Sequence, residues 1–498
     1  MKNALFILLL TPSLIFAEVK LAPPFKDHAV LQRDKPVPVW GTAKPEEEVV
    51  VAYRGQTLKT RADTDGRWQV DLAAMKAAKD AADLSVTGEN AVTIHDVVVG
   101  EVWFCSGQSN MAFSVGKTDN AEAEVKEANF PLIRCFSAPR KVSEVPLEET
   151  GGEWSVTTPE TVRDFSAVAF YFGRDLYRKL DVPIGLIKSS WGGTFIESWL
   201  SPKSLAATSL GPVVAQRWKE ALEQYPELSK QYELASAQWK AREATATAAG
   251  KTFTKREPMA PPGPGHQYTP SGLYGGMVHP FRHYAIRGVL WYQGESNVSR
   301  ANEYAELMKA LVTGWREEFG QGDVPFLWVQ LPKFGSTEAI DWAQLREAQA
   351  KTLALPATAQ AVTVDFDLAD PKNKHPTNKQ PVSQRLAKIA LAKFYGGKEA
   401  SDGPQFSSMK KEGGAIEITF SHADGLTAKD QAPEGFEVAG SDKVFHPAEA
   451  RIDGDKVTLK CAEVADPVAV RYAYRNFPAA TLFNATGWPA EPFRTDDW

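Results

Sequence analysis

The run from Val97 to Phe104, apolar apart from Gly100 and Glu101, constrains this chain most. It ends abruptly in small and polar residues, Ser106, Gly107, Gln108, Ser109 and Asn110, and reads as a buried strand opening into a loop. The pattern continues to about residue 396. Further strand candidates are Ile184–Lys188, Ile286–Tyr292, Val324–Gln330 and Ala361–Asp365, and helix candidates lie between them. Phe165–Leu180 is one. In Tyr304–Phe319, Tyr304, Leu307, Met308, Leu311, Val312, Trp315 and Phe319 recur at helical spacing and mark one buried face. Pro381–Phe394 starts with proline near the first helical position, where its missing N–H costs nothing. Strands alternating with helices predict a mostly parallel sheet covered on both faces, an α/β domain over 97–396.

The flanks have a different rhythm. Over 18–96, short strand candidates (Val37–Trp40, Glu48–Tyr53, Arg67–Val70, Val92–Ile94) are separated by the turn signals Arg54-Gly55, Asp65-Gly66 and Gly88-Glu89-Asn90. Over 400–498, Ala415–Phe420, Lys456–Lys460 and Val468–Tyr474 are strand-like, with Gly425, Gly435 and Asp453-Gly454 between them. Each flank predicts a small β-sandwich-like unit. Within the central domain, about 203–265 is polar and helix-rich and then runs into a Pro/Gly loop. It is expected to be an insertion, either a lid or a solvated excursion.

The first residues predict a targeting segment. Lys2 precedes an apolar stretch from Ala4 to Phe16, and Ala17 is a small residue at the cleavage position, although Ile15 fits the small-residue rule poorly. Residues 1–17 are therefore expected to be a signal peptide of a secreted or periplasmic protein. No segment is long enough for a stable membrane span. With 56 basic and 62 acidic residues and no long basic run, nucleic acid is excluded as a partner. Three cysteines do not make a disulfide framework, and spacing gives a Cys105–Cys135 bridge no support. Neither Cys-x-x-Cys nor His-Glu-x-x-His occurs, so no metal or other cofactor is indicated. The sequence does not fix the oligomeric state.

Several strand ends of the central domain close in polar, glycine-containing segments. They are Ser106–Asn110, Ser189–Thr194 and Gln293–Asn297, and the last strand runs on to Asp367, Asp370 and His375-Pro376. Open α/β sheets place their chemistry at the carboxyl ends of strands. Segments arranged in strand order therefore suggest one shared site. A serine there needs a base to become a nucleophile. Ser109 would attack a carbonyl carbon, and a histidine would take its proton and return it to the leaving group. Backbone N–H groups of Ser109 and of Gly192 or Gly193, and the Asn297 amide, are suitable oxyanion donors. Gly-x-Ser-x-Gly is absent, so the α/β-hydrolase elbow is not indicated.

The surroundings of Ser109, Gly-Gln-Ser-Asn, resemble the first block of the SGNH (GDSL-like) hydrolases. More narrowly, the chain after the leader resembles the sialate O-acetylesterase family of carbohydrate esterases almost end to end. The stretches that carry the resemblance are His28-Ala29-Val30-Leu31-Gln32-Arg33, Gly100–Trp103 into Ser106–Met111, Ser190–Thr194 with Glu197-Ser198-Trp199, Trp291–Asn297, His375-Pro376 through Asn378-Lys379-Gln380, and Phe493–Trp498. The resemblance implies an SGNH-type three-layer domain with Ser109 as nucleophile and His375 as base. The second and third blocks (Gly192, Gly193, Glu295, Asn297), with Gln108 of the first, would supply the oxyanion and substrate-binding site, and the substrate would be an acetylated carbohydrate. Such families place the supporting acid two or three residues before the histidine, where this chain has Asn373 and Lys372. Asp370 is then the first choice, Asp367 the second, and a Ser–His pair the third.

Blander readings stand beside these. Ser109 could cap a helix beginning near Asn110. Asp367 and Asp370 could be turn formers. His279 and His283 are expected to pack or to border the substrate, and Trp191, Trp199, Trp291 and Tyr292 to be core. Two other functions fit the same residues. One is a glycosidase using Glu295 and Asp370, which would not need Ser109; the other is a carbohydrate-binding protein without catalysis. Which acetylated glycan is cleaved, sialate, acetylated xylan or another polysaccharide, is not legible.

Overall fold

The computed structural model describes residues 18–335, 341–368, 370–429 and 432–498. The leader expected over 1–17 lies outside them. Among the described residues, no helix is long and apolar enough to cross a membrane.

The apolar run seen in the sequence is the centre of a much longer strand, β1 (Ala91–Gly107). Six further strands build a sheet with it: β2 (Phe130–Ser137), β3 (Trp154–Thr157), β4 (Ile184–Ser190), β5 (Gly288–Tyr292), β6 (Phe326–Val329) and β7 (Thr358–Ala361). Their order is β3-β2-β4-β1-β5-β6-β7. All neighbours are parallel except the edge pair β3 and β2. Alternate residues of β1 feed different cores. Val102 and Phe104 join one apolar cluster, Trp103 and Cys105 another. The first cluster is completed by α4 (Ala301–Phe319), the second by α2 (Ala167–Leu180) and α6 (Gln380–Phe394). The molecule is thus a mixed α/β fold with a large mixed sheet and additional β-sheets.

Strand β1 does not begin where the central domain was expected to begin. Its first half pairs antiparallel with Ala78–Thr87, and Val98–Gly100 pair in parallel with Val30–Gln32. Only from Glu101 onward does it pair with β4. Val49, Val51 and Leu84 from the N-terminal strands share one apolar cluster with Phe104 and Trp315. A buried polar clasp fixes the crossing point. Glu101, 2% exposed, accepts from Arg33 Nε at 2.5 Å and Gln32 Nε2 at 3.1 Å, while Gln32 Oε1 takes the Val102 N–H at 2.8 Å. A carboxylate this deep is tolerable because cation and amide both reach it.

The last hundred residues form two four-stranded sheets with their own core, including Ile416, Val438, Val457 and Tyr472. They dock on α5 (Trp342–Ala350): Tyr474 Oη donates to Glu347 Oε2 at 2.6 Å, and Arg494 Nε reaches the same oxygen at 3.0 Å. The expected helical insertion contains one long exposed helix, α3 (Gly211–Ala248), of which only Gly211, Val214 and Ser236 are buried. All three cysteines are free. Cys105 and Cys135 sit on strands separated by β4, about 9–10 Å apart at the usual strand spacing and beyond disulfide reach.

Candidate active site

Register brings the loops together. Gly107 at the end of β1 is level with Ser190 of β4 on one side and Tyr292 of β5 on the other. The segments that follow these three residues therefore leave the sheet at one height. The turn out of β1 requires glycine. Gly107 has φ 134°, and a Cβ there would lie 2.2 Å from the Tyr292 carbonyl oxygen. Backbone bonds lock the exits: Gln108 N–H donates to Tyr292 O at 2.9 Å and Trp191 N–H to Gly107 O at 3.0 Å.

Ser109 opens a single helical turn, α1 (Ser109–Ala112), whose N-cap position is Gln108 without a side-chain capping bond. The capping role considered for Ser109 is thus not the one it has. Its Oγ lies 2.7 Å from His375 Nε2. The two residues, 266 positions apart in the chain, meet at the carboxyl end of the sheet. The His375 ring is half-buried. Burial lowers its pKa below the ordinary value of 6.5, and the cations of Lys379 and Lys374 lower it further. The imidazole is consequently neutral, and able to accept a proton, at neutral pH.

No carboxylate among the described residues supports it or lies within ion-pairing distance of the ring. Asp370 is exposed, and its Oδ1 accepts the Lys372 N–H at 2.9 Å while its carbonyl takes the Asn373 N–H at 3.0 Å. Asp367 is fully exposed and 3.9 Å from Lys333 Nζ. The first-choice acid is therefore a turn former. The loop is shaped from within, because Asn373 Oδ1 accepts the His375 N–H at 2.9 Å.

The second and third loops divide into groups that face the serine and groups that brace. Gly192 stands directly beside it; a Cβ there would lie 3.1 Å from Ser109 Cβ. Gly193 follows with φ 74°. Asn297, expected to offer its amide to an oxyanion, is 1% exposed, and both ends of its amide bond to protein groups. Its Nδ2 donates to Glu197 Oε2 at 3.0 Å, and its Oδ1 accepts from Ile196 N at 3.0 Å and Gln293 Nε2 at 2.8 Å. It ties the second loop to the third. Gln108 also braces, its Oε1 accepting from the N–H groups of Gly294 and Ser296 at 3.4 Å. Glu295 lies inside. One oxygen accepts from Asn110 Nδ2, the other is buried without a protein partner, and burial raises its pKa.

Asn110, Lys379 and Gln267 were not singled out from the sequence. Asn110 and Lys379 form a buried cluster under the serine and histidine. Gln267, just past the helical excursion, donates to Gly192 O at 3.3 Å, so the returning chain borders the site. Glutamine in a Pro/Gly-rich segment gives no pattern that could have flagged it. Trp199, Trp291 and Tyr292 are core, whereas Trp191 is half-buried with Arg140 over its ring at 5.8 Å. His279 bonds Tyr274 Oη at 3.0 Å, and His283 packs edge-on against Trp40. Among the described residues, no group of three or more His, Cys, Asp or Glu could hold a metal ion.

Comparison with known proteins agrees with this architecture. A carbohydrate acetylesterase from Xanthomonas citri has a crystal structure that superposes with a TM-score of 0.81, at 35% sequence identity, covering 96% of this chain and 100% of that one. Sialate O-acetylesterases of Rattus norvegicus and Homo sapiens are 28% and 29% identical, each over 95% of this chain and 94% and 92% of their own lengths. The sequence profile of the family described as "carbohydrate esterase, sialic acid-specific acetylesterase" matches residues 99–240 and 258–392. The interruption falls at the tip of the exposed helix α3 and the loop after it. The chain belongs to this family and is, with it, a carboxylic ester hydrolase.

Proposed function

We propose that this protein is a secreted serine esterase that removes O-acetyl groups from acetylated sugars through a Ser109–His375 pair on an SGNH-type three-layer domain. The observation that carries the reading is the 2.7 Å contact between Ser109 Oγ and His375 Nε2. His375 takes the hydroxyl proton as Oγ attacks the acetyl carbonyl carbon. The tetrahedral oxyanion forms beside the backbone N–H groups of Ser109 and Gly192, neither of which has a protein acceptor among the described residues. Each such donor is worth about 2.7–4 kcal/mol of barrier. Collapse expels the sugar alkoxide, which takes the proton from His375. Water, deprotonated by the same imidazole, then attacks the acetyl-enzyme and releases acetate.

Sialate relatives and the carbohydrate acetylesterase from Xanthomonas citri support an acetylated glycan as substrate. The two separate core clusters fed by alternate residues of β1 support the three-layer reading, and the apolar leader supports export. A glycosidase would need two carboxylates facing a cleft. Here the half-buried Glu295 is bonded to Asn110, and Asp370 is turned to its own loop. The test is acetate release from O-acetylated sialic acid, acetylated xylan and acetylated pectin by wild type and by Ser109→Ala. Wild type should release acetate from at least one glycan, and Ser109→Ala should lose at least about 10³-fold in kcat. Acetate release that persists in the variant would overturn the reading.

A further inference from the structure

Among the described residues no carboxylate stands behind His375 where it meets Ser109, and other groups hold its loop. Asn110, fully buried, directly follows the serine, and its amide is committed three ways. Nδ2 donates to the Lys374 carbonyl at 3.0 Å and to Glu295 Oε1, and Oδ1 accepts from Lys379 Nζ. Lys374 immediately precedes His375. One amide thus pins the strand of chain carrying the base to the turn carrying the nucleophile. Lys379 is 1% exposed, with its ammonium over the rings of Phe113 at 4.9 Å and Tyr292 at 5.4 Å. An ammonium so deep is costly, and packing alone would favour an apolar residue there.

We propose that Asn110 and Lys379 are positioning residues that take the place of the orienting acid. Asn110 fixes the His375 loop against Ser109 through the Lys374 carbonyl, and the Lys379 ammonium holds the Asn110 amide in that setting. This rests on the Ser109–His375 reading above.

The electrostatics agree with the geometry. Two cations, Lys379 and Lys374, act on His375, and after burial they are what lowers its pKa. Glu295, across the Asn110 amide, partly offsets Lys379. Burial pushes Lys379 down to about 7 against that partner, so its charge grows as the pH falls below neutral. A cation beside a base disfavours protonation of that base. Removing it lets His375 bind protons at higher pH, and the acidic limb of activity moves up.

The experiment uses the full chain and p-nitrophenyl acetate, a neutral substrate, with kcat and KM measured from about pH 4.5 to 8, a range that spans imidazole titration. Lys379→Met should move the acidic limb of kcat/KM upward by roughly half a unit or more. Lys379→Arg should return it toward wild type, which a purely structural role would not predict. Lys379→Gln offers a second neutral side chain if the Met variant does not fold. Asn110→Ala should lower kcat at least about tenfold with KM changed less than about threefold, as for a group acting on the chemical step. If neither neutral Lys379 variant folds, Asn110→Ala and Asn110→Ser decide. A limb that stays in place in the neutral variants, or Asn110 variants whose kcat stays within about twofold of wild type, would overturn the proposal. Activity that survives Ser109→Ala would instead sink the reading beneath it.

Discussion

At the scale of single residues, the site depends on who touches whom around His375. Family pattern suggested an acid close before the histidine, and Asp370 was the nearest candidate. Its carboxylate instead caps the backbone two residues on, at Lys372. Asp370→Asn keeps the same acceptor oxygen. It is therefore expected to leave kcat/KM for p-nitrophenyl acetate within about twofold of wild type. A drop beyond tenfold would show that the loop swings the acid toward the ring during turnover. The depressed histidine pKa makes a second statement. The base loses function only when protonated, so kcat/KM should hold on acidification until below the ordinary histidine value of 6.5 and then fall. A limb centred above that value in a pH–rate profile would contradict the burial and the two cations that depress it.

Among elements, the turn out of β1 is the one that positions Ser109, the proposed nucleophile. Gly107→Ala places a methyl on the Tyr292 backbone and strains the dihedral as well. It should cost about 2 kcal/mol or more of stability, with loss of activity, read by chemical denaturation and esterase assay. An unchanged midpoint would mean that β5 gives way easily.

Much of this level was readable in the sequence. Glu48–Tyr53 and Lys456–Lys460 are strands with the bounds expected, and the apolar spacing of Tyr304–Phe319 lies within α4. Strands such as Phe130–Ser137 and Gln56–Arg61 were not recognised. The first carries Pro131 and Arg134, and the second has a single apolar residue, Leu58, and no fully buried position. Their strand state comes from pairing partners, which a local pattern does not display. The serine and histidine were legible because strand order predicts where loops converge. The bracing duties of Asn297 and Gln108 were not, because an amide in a glycine-rich loop looks alike whether it faces substrate or neighbour. Lys379 looked like an ordinary polar residue at a helix start, and only the fold shows it enclosed.

For the whole molecule, sequence rhythm suggested three units placed end to end, and the fold joins two of them through one strand. A protein starting at residue 97 would lose the partners of Val98–Gly100 and the Gln32–Arg33 clasp on Glu101. It would also expose the part of the core that Val49, Val51 and Leu84 cover. Such a fragment is expected to aggregate or to show no cooperative melt in circular dichroism. A soluble, active fragment would show that the N-terminal strands are only an accessory. The C-terminal sheets have their own core and reach the centre through α5 and through Trp488, which joins the cluster beside α6, so their removal should be the milder truncation.

The 17-residue span of β1 has an implication for how this architecture can change. Its amino half pairs with the N-terminal strands and its carboxyl half leads to the Ser109 hydroxyl, with no linker between to absorb a mismatch. A replacement front module would have to match the pitch and twist of that rod, or it would tilt Ser109 away from its imidazole. Grafting new sugar-recognition parts onto the front of this esterase would therefore retune its chemistry whether or not they bind anything.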